Sequence, residues 1–243
     1  MAEEAGTEKP HGFLQNVLDM YFAPRDGFAS IVRLPNFWLP LGCHIIVALL
    51  FTAVWVHKMD PAEFMKAQME ESGQWEKIPA ENRANILETQ SKVVSIFGWV
   101  FATVGTAIFV LLNSAVLLFV YRFFYGSEVT FRQALAIVAH SFLALALVSS
   151  PLILLVMQLK GDWNINPGEA LQANLTAAFE KATTAKPLWV LASSLDLFSL
   201  WLVFLLATGF GVASRRTTGS ALWGVGVCWA LIVLVKVGFA FLR

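Results

Sequence analysis

Asp196 is the residue of this sequence with the clearest potential for chemistry, because it is an acid inside an apolar run at 187–212. Ser193 and Ser199 lie three residues to either side, so on a helix of 3.6 residues per turn the three groups would share one face. A carboxylate in hydrocarbon costs at least about 2.5 kcal/mol and usually faces protein, water or an opposite charge. We therefore expect Asp196 to face the interior of a helix bundle.

Lys236, in the last apolar run, is the candidate opposite charge. Counted from the predicted helix ends at 1.5 Å per residue, Asp196 and Lys236 lie roughly 8–14 Å below the same membrane surface, on consecutive antiparallel helices. An ion pair offsets the desolvation cost only when its two groups touch. The alternative is that Lys236 extends to the headgroups by itself and that Asp196 caps the start of a shorter span.

A second polar layer, predicted nearer the cytoplasmic side, contains His44, Asn113 and His140. Ala136 and Ala144 lie one turn to either side of His140, and small residues on a helix face let a polar group bond to a neighbouring helix. The favoured interpretation is a hydrogen-bonded core that fixes helix register, and a proton relay or substrate pocket is the functional alternative. Two histidines and an asparagine lack an anionic ligand, so we predict no metal and no cofactor.

The motifs of common catalytic sites are missing from the sequence. It has no nucleophile elbow G-x-S-x-G, no zinc-binding H-E-x-x-H and no glycine-rich phosphate loop. Its apolar segments also lack a pair of carboxylates. We therefore predict that the protein is not an enzyme.

The composition is that of an integral membrane protein. Hydrophobic residues make up 57% of the 243 residues and charged residues 14%, whereas a soluble domain carries about 25% charged residues. The formal net charge is zero, so no overall electrostatic attraction to nucleic acid is expected. Cys43 and Cys228 both lie in apolar runs and form no C-x-x-C pair, so they predict neither a disulfide framework nor a zinc site.

Five apolar runs are long enough to cross a bilayer, which requires about 20 residues. We predict an all-α, polytopic membrane helix bundle with five transmembrane helices at 36–57, 93–121, 131–158, 187–212 and 221–241. A disordered polar tail at 1–12 and an interfacial amphipathic segment at 13–35 precede this membrane domain of 36–243. The apolar positions that recur at helical spacing in the interfacial segment are Phe13, Leu14, Val17, Leu18 and Tyr21, with Gln15, Asn16 and Asp19 opposite them.

The links between these runs differ in charge and predict the orientation of the chain. The two short links, 122–130 and 213–220, carry Arg122 and the pair Arg215 and Arg216. Short basic links remain in the cytoplasm, whereas long links cross the membrane irrespective of their charge. We therefore expect a cytoplasmic N-terminus, an extracytoplasmic C-terminus and two long extracytoplasmic links.

Each long link contains a helix-capping pattern. Residues 60–63 (Asp-Pro-Ala-Glu) and 166–169 (Asn-Pro-Gly-Glu) have a capping residue, then proline at the first helical position and glutamate at the third. Leu171, Leu175 and Phe179 would form the apolar stripe of the second helix. We predict two extracytoplasmic loop helices that lie on the membrane surface or cover the bundle.

Four stretches of the sequence carry a family resemblance. They are the entry to the first span at 22–28 and 35–38, the start of the third at 130–141, the fourth at 195–201 with Gly209, and the turn into the fifth at 219–222. In this order they resemble the prokaryotic branch of the Yip (Ypt-interacting-protein) domain family, over about 22–241. The resemblance implies a five-span protein of the prokaryotic cytoplasmic (inner) membrane.

Partner binding in this family is known from its eukaryotic members. These are Golgi and endoplasmic-reticulum membrane proteins that bind Rab-type GTPases and associate with one another, and they depend on a cytosolic N-terminal region for these contacts. In this sequence the segment before the first span is short and carries no partner motif that we can match. The resemblance therefore implies fold and location, and GTPase binding is not predicted.

The predicted function is a non-enzymatic membrane scaffold or accessory subunit of a larger transport or envelope complex. Capped loop helices, small-residue helix faces and the missing catalytic motifs favour it. The predicted partners are membrane lipids and another integral membrane protein or a second copy of the chain. The alternative is a transporter of a small solute, ion or lipid that uses Asp196, Lys236 and His140, although the sequence has no inverted repeat and no pair of Gly/Pro-broken helices.

Overall fold

A computed structural model describes residues 10–171, 173–180 and 183–241, except for the side chain of Ala177. The predicted polar tail at 1–12 therefore lies, as far as residue 9, outside the described residues. In the described ranges the chain forms eleven α-helices: α1 (Phe13–Phe22), α2 (Pro24–Arg33), α3 (Trp38–Lys58), α4 (Pro61–Glu71), α5 (Ala80–Val100), α6 (Thr106–Phe123), α7 (Phe131–Lys160), α8 (Pro167–Ala170), α9 (Lys186–Ser194), α10 (Leu197–Ala213) and α11 (Thr218–Phe241). A π-helical turn (Phe101–Gly105) joins α5 to α6.

Four helical stretches are long and apolar enough to cross a membrane. They are α3, α7, α11 and the continuous 44-residue stretch Ala80–Phe123 that contains α5 and α6. Helix α10 is apolar but has only 17 residues. The described chain is thus an all-helical integral membrane protein with four candidate spans, where the sequence predicts five, and the difference lies in the predicted fourth span.

The predicted fourth span is interrupted beside Asp196. Helix α9 ends at Ser194 and α10 begins at Leu197. The hydroxyls of Ser193 and Ser194 both donate to the carbonyl oxygen of Val190, at 2.9 and 2.8 Å, so they compete with the amides that would continue the helix. The prediction of one helix over 187–212 is wrong, and Ser193, Asp196 and Ser199 do not share one continuous helix.

An earlier segment of the chain pairs with the backbone at this interruption. The amide of Leu197 donates to the carbonyl oxygen of Ala173 at 3.0 Å, and Asn174 forms an isolated antiparallel bridge with Asp196. The Asn174 side chain accepts a bond from the Thr176 amide at 3.0 Å and caps a 3₁₀ turn at Leu175–Ala178. Because backbone groups freed by a helix break need partners in an apolar medium, this pairing stabilises the interruption.

The two capping patterns lead to helices of different length. Asp60 accepts bonds from the amides of Ala62 and Glu63 at 2.8 and 3.1 Å, and α4 then runs for 11 residues. Asn166 caps α8 in the same way, but α8 has only 4 residues, because the chain becomes extended at Leu171. The predicted second loop helix with its stripe of Leu171, Leu175 and Phe179 is therefore wrong.

Packing divides the described chain into two compact units. The first unit contains the described residues of Met1–Leu41, Val110–Ala144 and Ser199–Arg243, and the second those of Gly42–Phe109 and Leu145–Phe198. In the first unit, residues 134–144 of α7 are buried on every side. This stretch is rich in alanine, which keeps the helix slim and lets its neighbours approach its backbone closely.

In the second unit, the link before α9 is fastened to the start of α4. The Asn164 side-chain oxygen accepts a bond from the Asp60 amide at 2.8 Å, and its nitrogen donates to the Glu63 carboxylate at 2.8 Å. Asn164 thus takes the place of the direct bond from Glu63 to the Asp60 amide that completes a standard capping box. Nearby, the Trp55 indole donates to the carbonyl oxygen of Trp163 at 3.2 Å.

Candidate functional site

Helices α1 and α2 form a hairpin in which polar residues of α1 are turned toward the protein. Asn16 and Asp19 of α1 are buried, whereas Leu14 and Phe22 are 75% and 85% exposed. This arrangement suits a helix that lies against lipid, because the apolar face can meet hydrocarbon only if the polar side chains find protein partners. Of the predicted polar face, Asn16 and Asp19 are covered by the protein and Gln15 is exposed.

The hairpin is closely packed, and two glycines make this possible. A Cβ atom on Gly27 of α2 would lie 2.7 Å from the Cβ of Asp19, so glycine permits α1 and α2 to touch. A Cβ atom on Gly209 of α10 would overlap Ile137 of α7 and lie 3.0 Å from the ring of Phe28. Phe28 is completely buried, so it fixes the hairpin in the core of the first unit.

Asp19 is the centre of a hydrogen-bonded cluster inside the hairpin. Its carboxylate accepts bonds from His11 Nδ1 at 2.6 Å and from Gln15 Nε2 at 2.7 Å. The backbone amide of His11 donates to the hydroxyl of Ser30 in α2 at 2.8 Å. A buried carboxylate with two donors is well satisfied, and its bond to Nδ1 fixes the orientation of the His11 imidazole.

A cavity of about 220 Å³ lies beside this cluster, next to His140 of α7. Its lining combines polar and apolar side chains: His11, Phe13, Asn16, Ile31, Leu34, Asn36, Pro40 and His140. The Oδ1 atom of Asn16 is buried and has no hydrogen-bond partner among the described residues. Since a water molecule occupies about 30 Å³, the cavity has room for several waters or one small polar molecule.

The protonation of His140 follows from its contacts. Nδ1 lies 2.8 Å from the carbonyl oxygen of Ala136, and a carbonyl can only accept, so Nδ1 carries the proton. Nε2 is then an acceptor in the neutral ring, as is the Oδ1 of Asn16. A cavity with such acceptors suits a guest that donates hydrogen bonds, such as water, a hydroxyl group or an ammonium group.

Tyr21 connects α1 to α7 on the same side of the first unit. Its hydroxyl donates to the carbonyl oxygen of Ala144 at 2.9 Å, and its ring packs on Trp201 with the centroids 5.6 Å apart. Burial raises the pKa of the Tyr21 hydroxyl, so the group remains a donor throughout the physiological range. The hairpin is thereby connected to both α7 and α10.

The structure describes the local surroundings of each of the five polar residues singled out from the sequence. His140 lines the cavity, where its companions come from α1, α2, the first turn of α3 and the segments directly before α1 and α3. Asn113 is half-buried on α6 and is not among the lining residues. His44 is half-buried on α3 and belongs to the second unit. The predicted layer of His44, Asn113 and His140 stays a prediction.

Asp196 and Lys236 have different local surroundings. Asp196 is half-buried and directly precedes α10, which is the position of a helix N-cap, as in the shorter-span alternative. Lys236 is exposed on α11. The Asp196–Lys236 ion pair stays a prediction.

Sequence reasoning missed His11, Asn16 and Asp19 as members of a site. The available signal was the polar stripe on α1, which repeats every three to four residues. Such a stripe predicts an amphipathic helix but does not tell whether water or protein covers its polar face. In the described part of the chain, no group of three or more His, Cys, Asp or Glu side chains is placed to hold a metal ion.

A comparison with protein families matches nearly the whole chain. The family model of the Yip1 domain matches residues 18–239, from the second half of α1 to the end of α11. The chain belongs to the Yip1 family. No curated protein and no solved structure matches it. Within this Yip1 protein the match begins after His11, Phe13 and Asn16, so three residues that line the cavity lie outside the matched region.

Proposed function

We propose that this Yip1-family protein is a non-enzymatic integral membrane scaffold or accessory subunit of a larger transport or envelope complex. The observation that carries the proposal is that α5 has no buried residue. It belongs to a continuous helix of 44 residues, more than twice the length that a bilayer requires. About half of this helix must therefore lie outside the hydrocarbon.

The outer half of this long helix is its charged half. Glu81, Arg83, Glu88 and Lys92 all lie in the first 13 residues of α5, whereas the exposed apolar side chains begin at Val93. Helix α4 packs against α5, yet even with this support α5 buries no side chain. A long helix held on one side and open on the other is a suitable contact surface for a partner.

The first unit supplies the fixed base that a scaffold requires. Several of its polar side chains form bonds between helices, such as those from Tyr21 to the carbonyl oxygen of Ala144 and from Gln133 to the carbonyl oxygen of Val32. Bonds of this kind within a membrane specify helix register. We propose another integral membrane protein, or a second copy of the chain, as the partner, in the inner membrane of a prokaryote with the N-terminus in the cytoplasm.

The test is a mild-detergent pull-down of the tagged full-length protein from its native membrane, followed by mass spectrometry. A variant that exchanges Glu88 and Lys92 (Glu88→Lys with Lys92→Glu) keeps the net charge and an ion pair four residues apart but changes the surface of α5. The matched control makes the same exchange at Lys66 and Glu70 of α4. We expect a stoichiometric membrane partner that the α5 exchange releases and the α4 exchange retains. Recovery of the protein alone, or equal recovery of the partner with both exchanges, contradicts the proposal.

The interruption beside Asp196 favours the second candidate, a transporter of a small solute, ion or lipid. Transporters often place the ends of broken helices at their binding sites, where half-helix N-termini face anionic groups. In proteoliposomes loaded with dyes for protons, sodium and potassium, Asp196→Asn should abolish a wild-type flux while the protein remains folded. If no wild-type flux of these ions exists, transport of these ions is excluded.

A further inference from the structure

A cleft of about 450 Å³ lies where the chain turns from α10 into α11, against the start of α2. Its charged side chains are Arg25 and Asp26 from α2 and Arg215 and Arg216 from the turn. Three arginines and one aspartate give it a net charge of +2. In a chain with a formal net charge of zero, this is a local concentration of positive charge.

The turn between α10 and α11 determines where the two consecutive arginines point. The Arg216 amide donates to the carbonyl oxygen of Gly211 at 2.7 Å, which closes the end of α10. Arg215 has a φ of +55°, a left-handed conformation that glycine or asparagine adopts more readily. This hydrogen-bonded turn fixes the backbone from which both side chains leave.

The three arginines differ in whether the protein engages them. Arg216 donates to the carbonyl oxygen of Tyr125 at 3.1 Å, and its guanidinium lies 5.0 Å from the centroid of the Tyr125 ring. For Arg25 and Arg215, both exposed, the described residues provide no hydrogen bond or ion pair to the side chain. Arg216 is therefore a fixed positive charge, and the other two arginines are available to a ligand.

The location of the cleft indicates the chemistry of the ligand. It is formed by the ends of two apolar helices and by a hairpin helix that precedes the first span, so it lies at the depth of the lipid headgroups. Guanidinium groups bind phosphate oxygens in a bidentate manner, and basic pockets between membrane helices bind anionic headgroups. We propose that this cleft binds the phosphate of an anionic phospholipid, with Arg25 and Arg215 contacting the phosphate oxygens. This inference does not depend on the scaffold role.

The experiment is a titration of purified full-length protein, observed by native mass spectrometry on release from a non-ionic detergent. The probes are phosphatidylglycerol and phosphatidylcholine with identical acyl chains, and inorganic phosphate as the soluble source of the same group. The wild-type protein should bind phosphatidylglycerol about 25-fold more tightly than phosphatidylcholine. The double variant Arg25→Gln with Arg215→Asn should lose this preference, at about fivefold per arginine. Asparagine is chosen at 215 because it tolerates the left-handed backbone.

Two further variants separate a loss of binding from a loss of structure. Lys66→Gln with Lys160→Gln removes the same charge from exposed lysines outside the cleft and should leave the preference unchanged. The double variant Arg25→Lys with Arg215→Lys keeps the positive charge and should retain most of the preference for phosphatidylglycerol. An unchanged preference in the Gln/Asn variant, or no preference in the wild type, overturns the proposal. Inorganic phosphate that binds as tightly as phosphatidylglycerol overturns the assignment to a lipid. If the double variant fails to fold, Arg25→Gln alone is used and must reduce the preference.

Discussion

The hydroxyl of Tyr121 in α6 donates a hydrogen bond to the carbonyl oxygen of Ala221 in α11, at 2.7 Å. Both residues are completely buried. The Tyr121 ring also stacks on Phe210 of α10, with the centroids 4.6 Å apart. One side chain therefore joins three helices of the first unit, through a directional bond at its tip and a stacked contact along its ring.

Replacing Tyr121 by phenylalanine should destabilise the first unit by about 1–2 kcal/mol, because the hydroxyl bond is lost while the ring contact remains. Thermal unfolding in detergent measures the effect. Tyr125→Phe is the matched control, since its hydroxyl also donates to α11, to Ser220, but at 3.2 Å and from a half-buried position. If Tyr125→Phe loses as much stability as Tyr121→Phe or more, the greater importance of the Tyr121 hydroxyl is contradicted.

Gly209→Ala should loosen the α1–α2 hairpin. The added methyl group would overlap Ile137 and press on Phe28, and such overpacking costs about 1–3 kcal/mol. Hydrogen exchange of the α2 amides should increase in the variant. The control is Gly226→Ala in α11, where a Cβ atom meets nothing within 4 Å. It should leave the exchange of the α2 amides unchanged. Adding Ile137→Ala to Gly209→Ala should restore part of the protection of the α2 amides from exchange. If the two substitutions reduce this protection additively, the proposed clash is refuted.

Substitution of two buried polar residues on α1 should change the stability of the protein by very different amounts. Asp19→Asn weakens the bonds from His11 and Gln15 and should cost about 1.5–3 kcal/mol. Asn16→Leu removes an Oδ1 acceptor that lacks a protein partner and a long bond of 3.4 Å from Nδ2 to the carbonyl oxygen of His11, and should cost less than about 1 kcal/mol. Chemical denaturation of the purified protein compares the two. A large loss of stability in Asn16→Leu would instead show that an ordered water or small molecule in the cavity binds Oδ1.

Asn164→Ala should weaken the start of α4, although the two lie more than 100 positions apart in the chain. The substitution removes the acceptor of the Asp60 amide and the donor to Glu63, which should cost about 1–2 kcal/mol locally. Hydrogen exchange in the first turn of α4 is the measurement. Asn166→Ala, which removes the cap of the four-residue α8, should leave α4 unaffected, so equal exchange in both variants would exclude the bridging role of Asn164.

Hydropathy predicts the approximate positions of α3, α6, α7 and α11, because 20 apolar residues in a row have few alternatives to a helix in lipid. The interruption at Asp196 depends on pairing with Ala173 and Asn174, and no local pattern reveals a partner more than 20 residues away. The two serines before the break were visible in the sequence, but hydroxyls in a membrane helix often bond to their own backbone without ending it.

The candidate site, like the helix interruption, could be predicted from the sequence only in part. His140 can be selected from the sequence as a polar residue among alanines, and it does line the cavity. Its neighbours could not be predicted, because a polar stripe such as Asn16 and Asp19 meets protein or water depending on tertiary packing alone. His44 and Asn113 resemble His140 in the sequence and differ from it only in what surrounds them.

The length of α10 has a consequence for the membrane itself. Its 17 residues extend over about 26 Å, at 1.5 Å per residue, whereas the hydrocarbon of a typical bilayer is about 30 Å thick. The 30 residues of α7 extend over about 45 Å on the same scale. Helix α10 is therefore about 4 Å shorter than this hydrocarbon layer, whereas α7 is about 15 Å longer. A helix that is too short thins the bilayer around it and one that is too long tilts, so the two helices place opposite demands on the surrounding lipid.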